Sequence, residues 1–511
     1  MKSSILKATA VIFGLSLISK LIGFLKSIVE ASYFGATINT DAYNIANGFV
    51  SNVLYMFATA IAIAFVPLYI QRKNDKHSIH SEKGFATSTI TFLSIFAIII
   101  TCLLLILSFP IIRIIAPSFT GEALHITVNY FRVLVLGFSF SLLASLYTYL
   151  LNSERVYGYS AACSIINSIV LICGIVLFAD IAGVWVLVIS IPISYFIQFI
   201  ILFLRGKQYG TFSLKNKAKY EDIKLLLLQA TPILLSQATV EINQVVDRTL
   251  LTMVSLGAVT AVAYSAVLYQ FATSLINMPI STVLFTELSE AGAKKESERI
   301  KRILIEGYTA IILICVPVIA VMFFCSSDIV MVVYGHGRFS GEAVINCAIG
   351  LKMYSLCLLP VCIKTVLTRA YFALNDSKRP MVIGMLEVAL NIILSILLYR
   401  PFGIYGVVGA TAIASMAFVI VMLIDYNKSH LEVIYKDTIK GLYKFVVAAI
   451  LLILVFNLFP KVLFDSCLID LIIKALVAFI IYLSVLVFLR ERMINGFIKD
   501  LITKLTGKKQ V

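Results

Sequence analysis

Stretches of roughly twenty to thirty mostly apolar residues, separated by short polar turns, recur along the whole chain. A helix crosses the hydrocarbon core of a bilayer with about 20 such residues, and with more when it tilts. On that criterion fourteen segments are expected to span a membrane. The first seven are 5–34, 41–70, 85–115, 126–151, 159–179, 184–204 and 225–254. The second seven are 258–288, 303–325, 343–372, 381–399, 406–424, 442–459 and 467–489. The breaks carry turn chemistry, as in Phe34-Gly35-Ala36-Thr37 and Asn375-Asp376-Ser377-Lys378-Arg379-Pro380. A transmembrane β-barrel would instead show short alternating segments. The start of the chain, with Lys2 and Lys7, imitates a signal peptide, but its apolar stretch is too long and no small-residue cleavage site follows. The expected fold class is an all-α polytopic membrane protein.

Composition supports this reading. Of 511 residues, 60% are hydrophobic and 14% charged, against about 25% charged in ordinary soluble domains. A soluble enzyme, a disordered chain and a secreted disulfide scaffold are excluded. The nine Cys lie mostly within apolar runs, without a C-x-x-C pair, and read as small core residues. The net charge of +15 finds its explanation in topology. With the N-terminus in the cytoplasm, the cytoplasmic segments hold thirty Lys and Arg, and the opposite side holds Arg113, Arg338, Arg400 and Lys461. Such a bias sets orientation, so both termini are expected to be cytoplasmic, and no nucleic-acid partner is needed.

The chain also resembles itself at an offset near 223. Phe34-Gly35-Ala36 recurs as Leu256-Gly257-Ala258, and Leu151-Asn152-Ser153 as Leu374-Asn375-Asp376. Asn167 then pairs with Asn391, and Gly183-Val184 with Gly406-Val407. Six spans separate the copies, so the halves share one orientation and form a parallel repeat. The expected organisation is an N-lobe at 1–224 (spans 1–6), a C-lobe at 225–427 (spans 7–12), and spans 13 and 14 with a basic tail at 428–511, with a cleft between the lobes.

Eight cations remain inside spans: Lys20, Lys26, Arg132, Arg248, Lys352, Lys364, Arg369 and Lys474. A Lys or Arg at a helix centre costs roughly 2.5–3.5 kcal/mol even on insertion scales. Arg132, Arg369 and Lys474 lie near span ends, where their stems can snorkel. Lys20, Lys26, Lys352 and Lys364 lie deeper and are expected to face protein or water. Helical spacing offers Glu30 to Lys26 and Glu241 to Arg248 as partners. Asp41 follows Thr40 and fits a helix cap, whereas Asp247 has no such explanation. His77 and His80 sit in a charged loop, and His336 in a Gly-rich turn. No nucleophile–base set, phosphate loop or metal-spaced His cluster is present, so an enzyme is not expected. Cations in a low-dielectric cleft favour phosphate or pyrophosphate.

The run Ile18-Ser19-Lys20-Leu21-Ile22-Gly23-Phe24-Leu25-Lys26, with Phe34-Gly35-Ala36 and Thr40-Asp41-Ala42-Tyr43, resembles the opening of the MurJ (MviN) family. Val246-Asp247-Arg248-Thr249-Leu250, Thr282-Val283-Leu284-Phe285 and Arg369-Ala370-Tyr371-Phe372-Ala373-Leu374-Asn375-Asp376 resemble that family too. The resemblance covers essentially the whole chain and places it in the wider superfamily of multidrug exporters and polysaccharide-lipid flippases. It implies a flippase of the bacterial cytoplasmic membrane. The substrate would be lipid II, an undecaprenyl-pyrophosphate-linked glycan, moved to the outer leaflet by alternating access. Lys20 and Lys26 match cationic positions of the first-span motif, and Asp41, Arg248, Lys352, Lys364 and Arg369 complete the expected substrate-binding set. Positions where the family carries Arg on spans 2 and 8 correspond to Tyr55 and Val267, and Ser27 stands where an acid is usual. Some members bind sodium, and Asp247, Asn391, Thr411 and the carbonyl of Val407 match those ligands, with Ser395 at the position commonly Asp. Sodium is thus the one cofactor the resemblance suggests. The alternatives are a flippase for another polyprenyl-linked glycan and a multidrug exporter, for which twelve spans and a cleft suited to organic cations would be expected.

Overall fold

The structure, a computed structural model, describes residues 2–74, 82–213, 220–430, 436–458, 466–491 and 493–496. His77, His80, Lys461 and the basic tail beyond 496 lie outside these residues. The first half of the described chain forms helices α1 (Lys2–Phe34), α2 (Ile38–Asn74), α3 (Glu82–Ile106), α4 (Ser108–Ile115), α5 (Gly121–Leu136), α6 (Phe138–Ser153), α7 (Tyr157–Ala182) and α8 (Trp185–Gly206). It continues with α9 (Tyr220–Thr252), α10 (Ala258–Ala293), α11 (Ser297–Phe324), α12 (Ser326–Tyr334), α13 (Glu342–Ser355) and α14 (Leu358–Ala373). The last four are α15 (Lys378–Phe402), α16 (Ile404–Ser429), α17 (Lys436–Leu458) and α18 (Cys467–Phe488). Among the described residues, twelve helices are long and apolar enough to cross a membrane. The pair α13 and α14, bent by 41°, makes a thirteenth. Three expected spans are interrupted: 85–115 is divided into α3 and α4, 126–151 into α5 and α6, and 343–372 into α13 and α14. In lipid only helices, or closed barrels, satisfy every backbone group internally, which is why these apolar runs take this form.

The repeat is written in the backbone. Left-handed turns occur at Gly35 and Gly257 (φ 63° and 79°), Gly121 and Gly341 (55° and 58°), Arg155 and Asn375 (61° and 59°), and Gly183 and Gly403 (55° and 56°). The members of these pairs are 222, 220, 220 and 220 residues apart. The frame corrects three of the four letter matches. Arg155, and not Asn152, is the counterpart of Asn375, because each takes the left-handed position after its helix. The next amide then reaches back five residues, from Val156 to Leu151 O and from Asp376 to Tyr371 O. Gly183 corresponds to Gly403 instead of Gly406. Asn167 falls opposite Glu387 instead of Asn391, and both bond a serine on the following helix. Asn167 Nδ2 donates to Ser194 Oγ at 2.9 Å, and Ser415 Oγ donates to Glu387 Oε1 at 3.1 Å.

The chain divides into two compact units, Met1–Ala263 with His336–Ala343, and Tyr264–Gly335 with Val344–Val511. This boundary differs from the repeat boundary expected at 224/225. In the first unit α9 packs along α2, which also meets α5 and α6, so the polar face of α2 described below keeps α9 with the first unit. The 336–343 segment lies on the end of α1, where Arg338 N donates to Ser32 O at 2.8 Å. A Cβ at Gly337 would sit 2.3 Å from that same carbonyl oxygen, so glycine is required there for close approach as well as for its positive φ.

In the second unit α15 and α16 pack together, and α11 supports α14, α17 and α18. Phe445, Leu452 and Phe456 of α17 form a core with Tyr482 and Leu486 of α18. At the basic end, Arg379 bridges Asp376 and Asp425 at 3.1 and 2.8 Å, and His430 Nε2 lies 3.1 Å from Asp376. Burial works against the Asp376 charge, but the Arg379 amide, His430 and the Arg379 guanidinium together hold its carboxyl below the ordinary carboxylate range. At the other end of the unit, Lys474 does not snorkel as expected. Its side chain is only 7% exposed and meets Asp470 at 2.7 Å and Asp328 of α12 at 3.2 Å. The two carboxylates offset the desolvation that would otherwise push the ammonium toward water. Lys474→Met leaves the buried Asp470 uncompensated and should destabilise the protein by about 3–5 kcal/mol. Thermal unfolding in detergent reads this, and adding Asp470→Asn should restore more than half of the loss. An unchanged midpoint in Lys474→Met would mean that apolar packing alone holds α18.

Candidate functional site

In the first unit, Lys20 is exposed and Lys26 half-buried on α1. Lys26 takes the partner that helical spacing offers, with Nζ 3.5 Å from Glu30 Oε2, yet its side chain keeps 25% exposure while Glu30 is buried. Such a pair neutralises the carboxylate without sealing the ammonium away from an incoming anion. Ser27, at the position where an acid is usual, turns back and donates to Phe24 O at 2.7 Å.

Asp41 is 1% exposed and does not cap its own helix. That role falls to Thr37, whose Oγ1 accepts from Thr40 N at 3.3 Å, while Thr40 Oγ1 accepts from Thr37 N at 2.7 Å. The Asp41 carboxylate instead reaches the start of α10. It accepts from Gly257 N at 2.7 Å, Thr260 N at 2.8 Å and Thr260 Oγ1 at 2.6 Å. Free amides at a helix N-terminus attract negative charge, and three donors satisfy a carboxylate that burial would otherwise penalise. From this point a polar stripe runs along α2 at 41, 44, 48 and 52, one face of a helix. Asn44 Nδ2 donates to Thr260 Oγ1 at 3.1 Å, and Asn52 Nδ2 donates to Gln244 Oε1 of α9 at 3.2 Å. Gln244 Nε2 in turn donates to Glu241 Oε2 at 3.4 Å. Arg248 lies in the same seam. A Cβ on Gly48 would fall 1.7 Å from its Nη1, so the absent side chain of Gly48 makes the notch that the guanidinium occupies.

In the second unit the cations lie over aromatic rings. Lys352 Nζ is 4.6 Å from the Phe323 ring, Lys364 Nζ 4.6 Å from Phe418, and the Arg369 guanidinium 4.7 Å from Phe285. Arg369 is therefore seated on a ring instead of snorkelling. Lys364 also pairs with Glu387 Oε2 at 2.5 Å, with 36% of the Lys364 side chain and 12% of that of Glu387 exposed. Ser415 binds the other oxygen of Glu387.

Of the residues matched to sodium ligands, Asp247 is on α9 in the first unit, where Asn243 Nδ2 donates to it at 3.5 Å. Asn391, Ser395, Val407 and Thr411 are in the second. Ser395 Oγ donates to Asn391 Oδ1 at 3.0 Å, and Asn391 Nδ2 donates to Thr411 Oγ1 at 3.3 Å. This string uses its oxygens on itself and contains no carboxylate, whereas a hard cation requires several free oxygens and anionic charge. Within the second unit these side chains form a hydrogen-bonded polar string, and the one carboxylate of the matched set, Asp247, belongs to the first unit. Among the described residues no group of three or more His, Cys, Asp or Glu could hold a metal.

Residues 30–477 match the sequence profile of the family described as lipid II flippase MurJ. The chain belongs to the lipid II flippase MurJ family. A probable lipid II flippase MurJ from Borreliella burgdorferi is 26% identical over 453 residues, covering 88% of each chain. One from Buchnera aphidicola is 26% identical over 408 residues, covering 78% of this chain and 80% of the relative. Among solved structures, a lipid II flippase MurJ in an inward closed conformation matches with a TM-score of 0.81 at 21% identity, over 96% of this chain and all of the other. An inward-facing multidrug-resistance MATE transporter of the MOP superfamily matches with a TM-score of 0.62 at 14% identity, over 80% and 97% of the two chains. The MurJ assignment makes this a multi-pass membrane protein of a transporter family, in keeping with the expected fold class.

Two features of this MurJ-family chain escaped the sequence reading. Glu387 sits in an apolar run with no neighbouring cation in sequence, and its partner Lys364 lies on another helix. Gly48 carries no side chain to notice, although the spacing of Asp41, Asn44 and Asn52 marks the face it belongs to. The Asp41 contact is the most directly testable. Asp41→Asn keeps the shape but removes the charge that three donors share, and hydrogen bonds to charged groups contribute about 1.5–3 kcal/mol each. A cysteine placed at Ala258, which is fully buried, should then react several-fold faster with a membrane-impermeant maleimide. Equal labelling rates in the two backgrounds would show that Asp41 does not hold this end shut.

Proposed function

We propose that the chain is a lipid II flippase of the bacterial cytoplasmic membrane, carrying this undecaprenyl-pyrophosphate-linked precursor of peptidoglycan from the inner to the outer leaflet. The observation that carries the reading is the match to the MurJ family over 30–477. In this reading fourteen spans cross the membrane with both termini cytoplasmic, and two six-helix lobes rock about a cleft. The headgroup enters the cleft while the polyprenyl tail stays in lipid. Lys20, Lys26 and Lys364 neutralise the pyrophosphate, with Arg248, Lys352 and Arg369 as further cations. Lys26 and Lys364 do so by exchange, since Glu30 and Glu387 hold them when no anion is present. An ion pair of this kind keeps a cation in the membrane at low cost and is released when a doubly charged ligand competes for it. Lys keeps the charge but lacks the bidentate fork of Arg.

The Asp41 contact is the natural latch of one end of the cleft. Its donors are backbone amides and a hydroxyl that water can replace, so it can open and close repeatedly. An inside-negative potential favours moving an anion outward by roughly 2.3 kcal/mol per charge per 100 mV, so a pyrophosphate needs no nucleotide to drive it. No step is assigned to sodium.

Purified protein in liposomes should flip lipid II faster under an inside-negative potential. Lys26→Ala and Lys364→Ala should each slow flipping about tenfold, the equivalent of one charge-assisted contact. Glu387→Gln should retain flipping, because it releases Lys364. Full activity of the Lys26→Ala, Lys364→Ala double variant would exclude the proposed role of these cations. Failure of the wild type to flip lipid II, or to rescue cells depleted of their own MurJ, would overturn the reading.

A further inference from the structure

The first unit contains a cavity of about 400 Å³ enclosed by α2, α6 and α8. Ser51 and Asn52 of α2, Ser145 and Thr148 of α6, and Tyr195 and Gln198 of α8 line it, and no charged side chain does. Its volume falls within the roughly 300–1,000 Å³ typical of small-molecule sites. On α6 the hydroxyls at 141, 145 and 148 share one helical face, and Tyr195 and Gln198 are three apart on α8. A polar hollow of this size within apolar helices is costly unless its groups find partners.

Part of the lining is already committed. Asn52 bonds Gln244, Ser51 bonds Asn47 at 2.9 Å, and Tyr195 bonds Ser51 and Ser141. Ser145, Thr148 and Gln198 are not committed. Among the described residues none of the three has a side-chain hydrogen bond, and all three are half-buried. Together they offer two hydroxyls and one primary amide, each able to donate and to accept. Such a set binds uncharged groups that also do both, namely sugar hydroxyls and acetamido or peptide amides. It offers a pyrophosphate no countercharge.

We infer that this cavity is a glycan subsite, which takes a neutral, hydroxyl- and amide-bearing sugar of the lipid-linked substrate through Ser145, Thr148 and Gln198. The inference rests on the flippase reading and divides the headgroup between two kinds of chemistry. Cationic side chains take the pyrophosphate, and this neutral pocket takes the sugar. Cavity volume corresponds to about a dozen waters at roughly 30 Å³ each, room for one substituted pyranose ring.

The test compares two lipids in protein-containing nanodiscs, lipid II and undecaprenyl pyrophosphate, which has the same anion and tail but no sugar. Wild-type protein should bind lipid II more tightly by about tenfold, as one or two neutral hydrogen bonds supply. Gln198→Met, which keeps the side-chain volume, and Ser145→Leu, which fills the hollow, should bring the two affinities to within about twofold of each other. Thr148→Val substitutes for Ser145→Leu if the larger side chain prevents folding. The readout is the ratio of affinities, so a general loss of binding or of fold does not imitate the result. Equal binding of the two lipids by wild type, or an undiminished preference in the isosteric variants, would overturn the inference and leave the cavity as a solvent pocket. Flipping of lipid II by the same wild-type preparation reports separately on the flippase reading.

Discussion

Polar groups placed inside a lipid-embedded bundle must find their partners within the protein, because hydrocarbon supplies none. Asp41 shows how far this constraint reaches. Its carboxylate is almost wholly shielded, and what makes it tolerable is the start of α10, which presents two amides and a hydroxyl to it. The same requirement, met three and eleven residues on by Asn44 and Asn52 and between them by the Gly48 notch, draws α9 along α2. It also accounts for the compact unit extending to Ala263 instead of ending near 224. A seam made of apolar side chains would hold as well when closed, but would expose an apolar surface to water on opening. Amides and hydroxyls exchange one set of partners for water at modest net change, which suits a seam that opens and closes.

The cations follow the same economy by a different route. Five of the eight in-span cations singled out from the sequence have a charged or aromatic neighbour that lowers their cost: Glu30 for Lys26, Glu387 and Phe418 for Lys364, Phe323 for Lys352, Phe285 for Arg369, and two aspartates for Lys474. Their differing exposure separates structural from accessible charge. Lys474 is enclosed by Asp328 and Asp470 and serves to dock α18, while Lys26 and Lys364 keep a quarter or more of their side chains open.

Helix placement was legible in the sequence, since length and hydropathy leave an apolar run of this kind little alternative in a membrane. Charge depth was legible for the same reason. Pairing across helices was not: Lys364 and Glu387 are twenty-three residues apart, and nothing in either local pattern announces the other. Asp41 was read as a cap because caps are local, and the structure gives it a cap role on a helix more than two hundred residues away. The repeat was detected at an offset a few residues from the one the backbone uses. Asn152 and Asn375 share a letter, whereas Arg155 and Asn375 share a conformation, and only the second is fixed by the turn.

The left-handed turns divide by residue type. Among the described residues seven glycines have positive φ, and the four other residues with positive φ are Arg155, Lys295, Asn375 and Arg490. Glycine would be the least strained choice at every one of them. Three of the four instead carry a cation, at a modest conformational cost, in the very short loops where charge decides which way a nascent helical hairpin enters the bilayer. At these turns one side chain both ends a helix and carries a positive charge, so a change to glycine would ease the backbone and remove that charge in a single step.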